Sequence, residues 1–224
     1  MNQPPSFKYL DIIASFFVSI LIISNIASSA KIVDLGVSLF SVPLVFDGGT
    51  LLFPLVYVLG DVLTEVYGFK TARRVIWTGF AAMALAVLVF FLLGILPPEL
   101  YWEAHTGSSA YNTILGGMSY GGIVLASLAA YLAGEFSNAA ILSKLKIKMK
   151  GRMLWVRTIG SSLAGQFLDT FIFVLIASAA GVFGWEIFWS LVLTNYILKC
   201  GIEIAMTPFT YWVVGFLKRK ETVL

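Results

Sequence analysis

Residues 72–96 read ARRVIWTGFAAMALAVLVFFLLGIL, and no charged side chain occurs in this stretch after Arg74. A helix needs about 20 apolar residues to cross a bilayer, so this run predicts a transmembrane helix. Five further runs of the same kind bring the predicted spans to six, which are 11–33, 49–67, 72–96, 119–141, 154–180 and 187–215. The sequence therefore predicts an all-α membrane protein, with residues 1–224 forming a single integral membrane domain.

The composition excludes most other classes of protein. Hydrophobic residues make up 59% of the chain and charged residues 12%, whereas a soluble domain carries about 25% charged residues. A net charge of +3 is too small to indicate a nucleic-acid-binding protein. Cys200 and His105 are the only residues of their kinds, so neither an internal disulfide nor a histidine-rich metal site can form. We expect no cofactor and no metal ion.

A short apolar segment, residues 35–47, lies between the first two predicted spans and reads LGVSLFSVPLVFD. It is too short to cross the bilayer. Pro43 interrupts it, and Asp47 followed by two glycines ends it. We predict that this segment forms a hairpin or a re-entrant piece lying against the bundle.

The basic residues predict the orientation of the chain. Lysine and arginine accumulate on the cytoplasmic side of membrane proteins. Residues 97–118, between the third and fourth spans, contain no lysine or arginine. Both termini are therefore predicted to be cytoplasmic and residues 97–118 external. Of the 15 basic residues, 13 fall on the predicted cytoplasmic side, namely Lys8, Lys70, Arg73, Arg74, Lys144, Lys146, Lys148, Lys150, Arg152, Arg157, Lys218, Arg219 and Lys220.

Six charged residues inside the predicted spans are candidates for a functional role, because a charge within a span costs roughly 2.5–3.5 kcal/mol on insertion scales. Asp61 and Glu65 are four residues apart and share one helix face, so they need a cation, a proton or hydrogen-bond donors. Lys199 and Glu203 have the same spacing and could pair within their helix. The six residues are Asp61, Glu65, Glu135, Asp169, Lys199 and Glu203.

Depth divides these six residues into two groups. Asp61, Glu65 and Glu135 are predicted to lie toward the cytoplasmic end, and the other three lie nearer the middle of their spans. Two alternatives stay open beside a ligand-binding role, namely a purely structural pairing between helices and a proton relay. Small residues also recur at every fourth position on the fourth and fifth spans, as at Gly134 and Gly165, which indicates close helix packing.

Residues 60–68, GDVLTEVYG, followed by Arg73, Arg74 and Trp77, resemble the central signature of the queuosine precursor transporter family, also called the vitamin uptake transporter family. The resemblance covers roughly residues 11–217. Supporting matches are Ser24-Asn25-Ile26, Lys31, Phe53-Pro54, Gly134-Glu135, Trp155-Val156-Arg157, Ser161-Ser162, Gln166, Asp169-Thr170, Lys199 and Pro208.

The resemblance implies a bacterial inner-membrane importer, not an enzyme, for 7-deazaguanine bases that are precursors of the tRNA nucleoside queuosine. Such bases include 7-cyano-7-deazaguanine, 7-aminomethyl-7-deazaguanine and queuine. The implied partners are this purine-like small molecule and the lipid bilayer, with no nucleic acid and with a homodimer left open. The alternatives are a substrate-binding subunit of an energy-coupling-factor vitamin transporter, which the family resembles, and a membrane-embedded enzyme that uses the carboxylates.

A deazaguanine presents a ring N–H and an exocyclic amine side by side, and one carboxylate can accept both hydrogen bonds. Its carbonyl needs a donor and its flat ring suits an aromatic face. We also expect Asp61 and Glu65 to form a cytoplasmic gate or coupling site, with Arg73 or Arg74 as partner. The expected substrate-binding residues are Asn25, Phe53, Tyr57, Asp61, Glu65, Glu135, Gln166, Asp169, Lys199 and Glu203.

Overall fold

The computed structural model describes residues 7–39, 42–119, 122–181 and 184–221. These segments are mainly helical. In chain order the helices are α1 Leu10–Ala30, α2 Phe53–Val62, α3 Phe69–Ile95, α4 Leu100–His105, α5 Gly107–Ser119, α6 Gly122–Lys148, α7 Leu154–Ala179 and α8 Phe188–Lys220.

Six helical segments are long and apolar enough to cross a membrane, which confirms the predicted number of spans. The fourth and sixth spans run further than predicted, to Lys148 and Lys220. Both extensions carry lysines in their last turn. Cations are favourable at a helix C-terminus. The lysines that marked the end of each apolar run in the sequence are therefore compatible with a longer helix, and they form its last turn in the structure.

The second span is composite and is the most buried of the six. It begins with a 3₁₀ turn at Gly48–Leu51, continues as α2 with Pro54 in its first turn, and ends in a π-helical turn at Leu63–Tyr67. Proline fits the first helical turn because no intrahelical N–H bond is lost there. Gly68, at φ 83°, then breaks the helix, since this backbone conformation favours glycine. Glu65 therefore lies in an irregular turn between two helices.

The segment between α1 and α2 contains two paired strands, β1 Ile32–Leu39 and β2 Val42–Asp47. They run antiparallel, and the register pairs Ile32 with Asp47 and Leu39 with Val42. The predicted segment began at residue 35, so the pairing starts three residues earlier. Residues 40 and 41 lie outside the described residues. Penetration of this segment into the membrane stays a prediction.

Residues 97–118, expected as an external loop, contain α4 and α5. Glu99 caps α4 by accepting hydrogen bonds from the backbone N–H groups of Tyr101 and Trp102, and these bonds lower the pKa of Glu99. Helix α5 packs against α1 and α3. The hydroxyl of Tyr111 donates to the backbone carbonyl of Phe90 on α3 at 2.5 Å. Much of this segment is thus part of the bundle.

The interior of the bundle has an apolar half and a polar half, and α2 lies between them. The apolar half is formed by α1, α2, α3 and α6, and includes Phe17, Leu21, Val62, Ile76 and Met83. The polar half is formed by α2, α6, α7 and α8, which supply most of the buried polar side chains. Helices α6 and α7 make the most extensive helix pair.

Glycine permits this close approach of α6 and α7. A methyl group at Gly134 would lie 2.8 Å from Cβ of Asp169 and 3.1 Å from the carbonyl oxygen of Gly165. A methyl group at Gly165 would lie 2.8 Å from Cβ of Asn138. The small residues thus bring the polar faces of two spans into contact.

Candidate functional site

Nine buried polar side chains from four helices meet in the polar half of the bundle, and we call them the central polar cluster. As whole residues, none of them is more than 7% exposed. Since the hydrocarbon core offers no water to buried polar groups, such a concentration needs partners inside the protein. The members are Tyr57 and Asp61 on α2, Glu135 and Asn138 on α6, Ser162, Gln166 and Asp169 on α7, and Lys199 and Glu203 on α8.

The one cation of the central polar cluster, Lys199, pairs with Asp169 across α7 and α8, with 2.8 Å between Nζ and Oδ2. Its Nζ also lies 4.9 Å from the centre of the Phe53 ring, within range of a cation–π interaction. The predicted pairing of Lys199 with Glu203 inside α8 is wrong. Glu203 instead accepts a hydrogen bond from the Gln166 amide of α7. Both Lys199 and Glu203 thus find their partners on the neighbouring helix α7 and not one turn away on α8.

Asp61 is held by an amide and not by a cation. Its Oδ1 accepts a hydrogen bond of 2.9 Å from Nδ2 of Asn138. The Oδ1 of Asn138 in turn lies 3.4 Å from the donating hydroxyl of Ser162. A chain of hydrogen bonds thus links α2, α6 and α7.

Some buried polar atoms of the central polar cluster have no hydrogen-bond partner in the part of the chain that the structure describes. These atoms are both carboxyl oxygens of Glu135, Oε1 of Gln166 and the hydroxyl of Tyr57. A buried polar atom left unsatisfied costs about 1–3 kcal/mol, and each such atom in a native protein needs an explanation. A proton or a hydrogen-bonding ligand would satisfy these atoms.

Helix α6 runs further than the predicted span, which ended at residue 141. It continues to Lys148, and Glu135 is its central residue. The depth of Glu135 in the membrane stays a prediction.

A second group, which we call the Glu65 cluster, joins the ends of four spans. Glu65 pairs with Arg157 and with Lys218, each at 2.5 Å, and with Lys146 at 3.8 Å. Lys146 also donates to the backbone carbonyl of Glu65 at 2.6 Å. Arg157 is 1% exposed and donates further bonds to the backbone carbonyls of Arg152 and Gly151. Glu65 thus links the π-helical turn to α6, α7 and α8.

The predicted partnership of Asp61 and Glu65 with Arg73 or Arg74 is wrong. Gly68 ends the second span, and Arg73 and Arg74 lie exposed on α3. Arg157, Lys146 and Lys218 pair with Glu65 instead, and Asn138 bonds Asp61.

The structure places the remaining predicted residues at different distances from the central polar cluster. Phe53 lies beside Lys199, and Tyr57 lies against Gly134 and Gly165. Asn25 is buried in α1, but its amide donates to the carbonyl of Leu21 in its own helix. It is thus used locally, as a structural residue of α1.

Sequence reasoning missed several residues that the structure joins to these clusters. Arg157 is a cation inside an apolar span, which was a usable signal, and Asn138 follows Glu135 by one helical turn. Nothing in the sequence distinguished Lys146 and Lys218, because they lie outside the predicted spans among several other lysines. Ser162 is one serine among several in its span.

A shallow surface crevice between α7 and α8 reaches the central polar cluster. Ser162 and Glu203 line it together with Ile159, Leu163, Cys200 and Ile204. Leu163 and Ile204 are exposed on the outer surface of the bundle. The crevice therefore connects the lipid-facing surface with Ser162 and Glu203.

Comparisons with known proteins agree with the residue pattern. The model of a family described as "Putative vitamin uptake transporter" matches residues 47–213. A "Probable queuosine precursor transporter" of Bacillus subtilis is 29% identical over 73% of this chain and 69% of its own length. The "Queuosine precursor transporter" of Escherichia coli is 26% identical over 90% of this chain and 86% of its own. No solved structure matches the chain. These matches confirm the family resemblance predicted from residues 60–68.

Proposed function

The chain belongs to the vitamin uptake transporter family, and from this premise we propose that it imports queuosine precursors across the bacterial cytoplasmic membrane. It is a multi-pass membrane protein of a family of transporters, not of enzymes. The names of its relatives support the substrate class. The structural observation that supports the proposal is the set of buried polar atoms in the central polar cluster that have no partner among the described residues.

The chemistry of a 7-deazaguanine base suits this cluster. The base offers a ring N–H and an amine on one edge, which a carboxylate such as Asp169 or Glu203 can accept together. Oε1 of Gln166 is a further free acceptor. Lys199 supplies a donor for the carbonyl of the base, and Phe53, next to Lys199, offers an aromatic face. Phosphorylated compounds fit poorly, since four of the five charged residues here are carboxylates.

The Glu65 cluster suits the role of a cytoplasmic gate. Its ion pairs hold the ends of α6, α7 and α8 against the second span. Access from the cytoplasm requires these ends to separate, and Lys146 and Lys218 are exposed enough to be solvated when they do. Glu65 and Arg157 form the buried part of the gate. Asp61, one turn from Glu65, connects the gate to the central polar cluster through Asn138.

Uptake by the purified protein tests this proposal. Proteoliposomes that contain only this chain, without ATP, should exchange external radiolabelled 7-aminomethyl-7-deazaguanine for unlabelled base inside, and protein-free liposomes should not. Exchange that appears only after addition of an ATPase module would favour the energy-coupling-factor alternative. The absence of exchange with the nitrile, aminomethyl and queuine forms alike would overturn the proposal. A homodimer is also proposed, and light scattering of the solubilised protein tests it.

A further inference from the structure

Glu135 is the carboxyl group of the central polar cluster that the structure leaves without any donor. It is 1% exposed, and both of its oxygens lack a hydrogen-bond partner in the described part of the chain. The backbone of α2 covers it closely, since a methyl group on Gly60 would lie 2.8 Å from Oε2. The other carboxyl groups of the cluster each receive a hydrogen bond or an ion pair, from Asn138 to Asp61, from Lys199 to Asp169 and from Gln166 to Glu203.

The charged and titratable groups around Glu135 do not compensate a negative charge there. Asp169 on α7 and Glu203 on α8 act on it by electrostatic repulsion. Lys199 on α8 is engaged with Asp169, and Glu65 at the end of the second span already has three cations. The phenols that face it are Tyr57 on α2 and Tyr131 on its own helix, and Asp61 on α2 adds a further carboxyl group.

From this arrangement we infer that Glu135 works as a neutral carboxylic acid and that its proton is a required part of the binding site. An unpaired buried carboxylate among other carboxylates is so unfavourable that the group neutralises instead. A neutral acid presents one O–H donor and one C=O acceptor side by side. This pair complements a ligand edge that presents an N–H donor beside an acceptor, which a carboxylate cannot do. The nature of the ligand rests on the proposed function, whereas the protonation of Glu135 does not.

The proton at Glu135 can be tested without any ligand. Glutamine has the shape of a neutral glutamic acid and cannot ionise, so Glu135→Gln should be at least as stable as the wild type at neutral pH. The wild type must hold a proton that the unfolded chain releases, so its melting temperature should fall progressively below that of Glu135→Gln as the pH rises. The two proteins differ only at Glu135, so the difference between their melting temperatures reports on this group. The exposed Glu186→Gln should follow the wild type at every pH.

Two outcomes of this comparison would overturn the inference. The first is a strong loss of stability in Glu135→Gln at neutral pH, because it would mean that the carboxylate is needed. The second is a parallel decline of the wild type and Glu135→Gln with rising pH, because it would mean that Glu135 binds no proton whose loss matters.

Ligand binding provides the second measurement. Glu135→Gln should bind 7-aminomethyl-7-deazaguanine within about threefold of the wild type and should keep this affinity at alkaline pH, where the wild type loses it. Glu135→Leu, which has neither donor nor acceptor, should bind about tenfold to a hundredfold more weakly. Loss of binding in Glu135→Gln with tighter wild-type binding at high pH would show that the carboxylate is the active form and would overturn the inference. A wild type that binds no such base contradicts only the proposed function, and the stability comparison still decides the inference.

Discussion

Asp169 and Lys199 form an ion pair of 2.8 Å between two neighbouring spans. This geometry is compatible with a structural link between the helices and with a binding site for the base. The two roles can be separated by removing one charge or both. Asp169→Asn should destabilise the protein by about 3–5 kcal/mol, because it leaves Lys199 buried and unpaired. Asp169→Asn combined with Lys199→Met should recover most of this stability, since no lone charge is left. Thermal unfolding in detergent measures both.

The double variant then tests whether the pair contacts the base. A ligand that binds the folded protein raises its melting temperature. If Asp169 and Lys199 bind the base, the double variant should be stable but should show no such rise. A normal ligand-induced rise in the double variant would show that the pair links α7 to α8 and does nothing more.

Asp61 allows a further prediction at the level of one residue. Its carboxylate accepts an amide hydrogen bond from Asn138 at the junction between the central polar cluster and the Glu65 cluster. Asp61→Asn should abolish uptake of the base while the protein still inserts into the membrane and stays monodisperse. Glu99→Gln, at the exposed start of α4, should transport at close to the wild-type rate. Normal uptake by Asp61→Asn would contradict a functional role for the motif at residues 60–68.

The sequence allowed the charged residues inside the spans to be recognised, and an ion pair of Asp169 with Lys199 was one of the alternatives, but most of the other partners were not predicted. A carboxylate in an apolar run is visible because its insertion is costly. Spacing arguments, however, see only neighbours on the same helix, and they wrongly paired Lys199 with Glu203. The actual partners come from other spans, as Asp169 does for Lys199 and Arg157 does for Glu65. Such contacts depend on how each helix is rotated about its axis relative to its neighbours, and the spacing of residues along one helix does not predict this rotation.

At the scale of elements, the contact of α6 with α7 depends on Gly134. A methyl group there would meet Cβ of Asp169 at 2.8 Å, so Gly134→Ala should force the two helices apart and cost about 1–3 kcal/mol of stability. Gly160 on α7 is the matched control, because the nearest atom to its methyl group would be Cδ1 of Leu145 at 3.8 Å. Gly160→Ala should be neutral or slightly stabilising, since alanine favours helix. Equal melting temperatures for the two variants would contradict this view of the interface.

The two ends of the chain are connected by Glu221. Its carboxylate accepts hydrogen bonds from the backbone N–H groups of Lys8 and Tyr9 at 2.8 and 2.7 Å and from the hydroxyl of Tyr67 at 2.8 Å. It thus ties the segment just before α1 to the end of α8. Burial of this carboxyl group alone would raise the pKa of Glu221, but the three hydrogen bonds outweigh burial and lower it.

A carboxylate with a lowered pKa stabilises the fold at neutral pH, and this contribution disappears as the pH falls through its value in the folded state. Glu221→Gln should therefore reduce the stability at neutral pH by about 0.5–1.5 kcal/mol, the net size of a hydrogen bond. The difference from the wild type should vanish in acid. Thermal unfolding as a function of pH measures it, and a difference that stays constant down to acid pH would contradict a role for the ionised carboxylate.

Some elements were visible in the sequence and others were not. The long apolar runs gave six spans, because about 20 apolar residues leave few alternatives to a membrane helix. The extensions of α6 and α8 past residues 141 and 215 were missed because lysines ended the apolar runs. Helix α5 was missed as well, since its glycines and serines read as a loop. Its packing against α1 and α3 comes from tertiary structure, which overrides these weak local preferences.

At the scale of the whole molecule, the basic residues gather at one end of the bundle. Lys146, Arg157 and Lys218 come from different parts of the chain and meet at Glu65, and Lys8 lies beside Glu221. The rule that placed these residues in the cytoplasm is an effect of membrane insertion. In the folded protein, Lys146, Arg157 and Lys218 also hold the spans together through Glu65. The residues that predict the orientation of the chain are therefore also residues of the proposed gate.

The orientation of the chain in the membrane, with both termini and the Glu65 cluster in the cytoplasm, can be tested by labelling single cysteines. Cys200 is the single cysteine, so Cys200→Ala gives a background without thiols. On this background His105→Cys, in the exposed α4, should react with an impermeant maleimide in whole cells. Lys148→Cys, at the exposed end of α6, should react only after lysis. The opposite pattern would put the Glu65 cluster on the external side, and it would then be a candidate for the external gate.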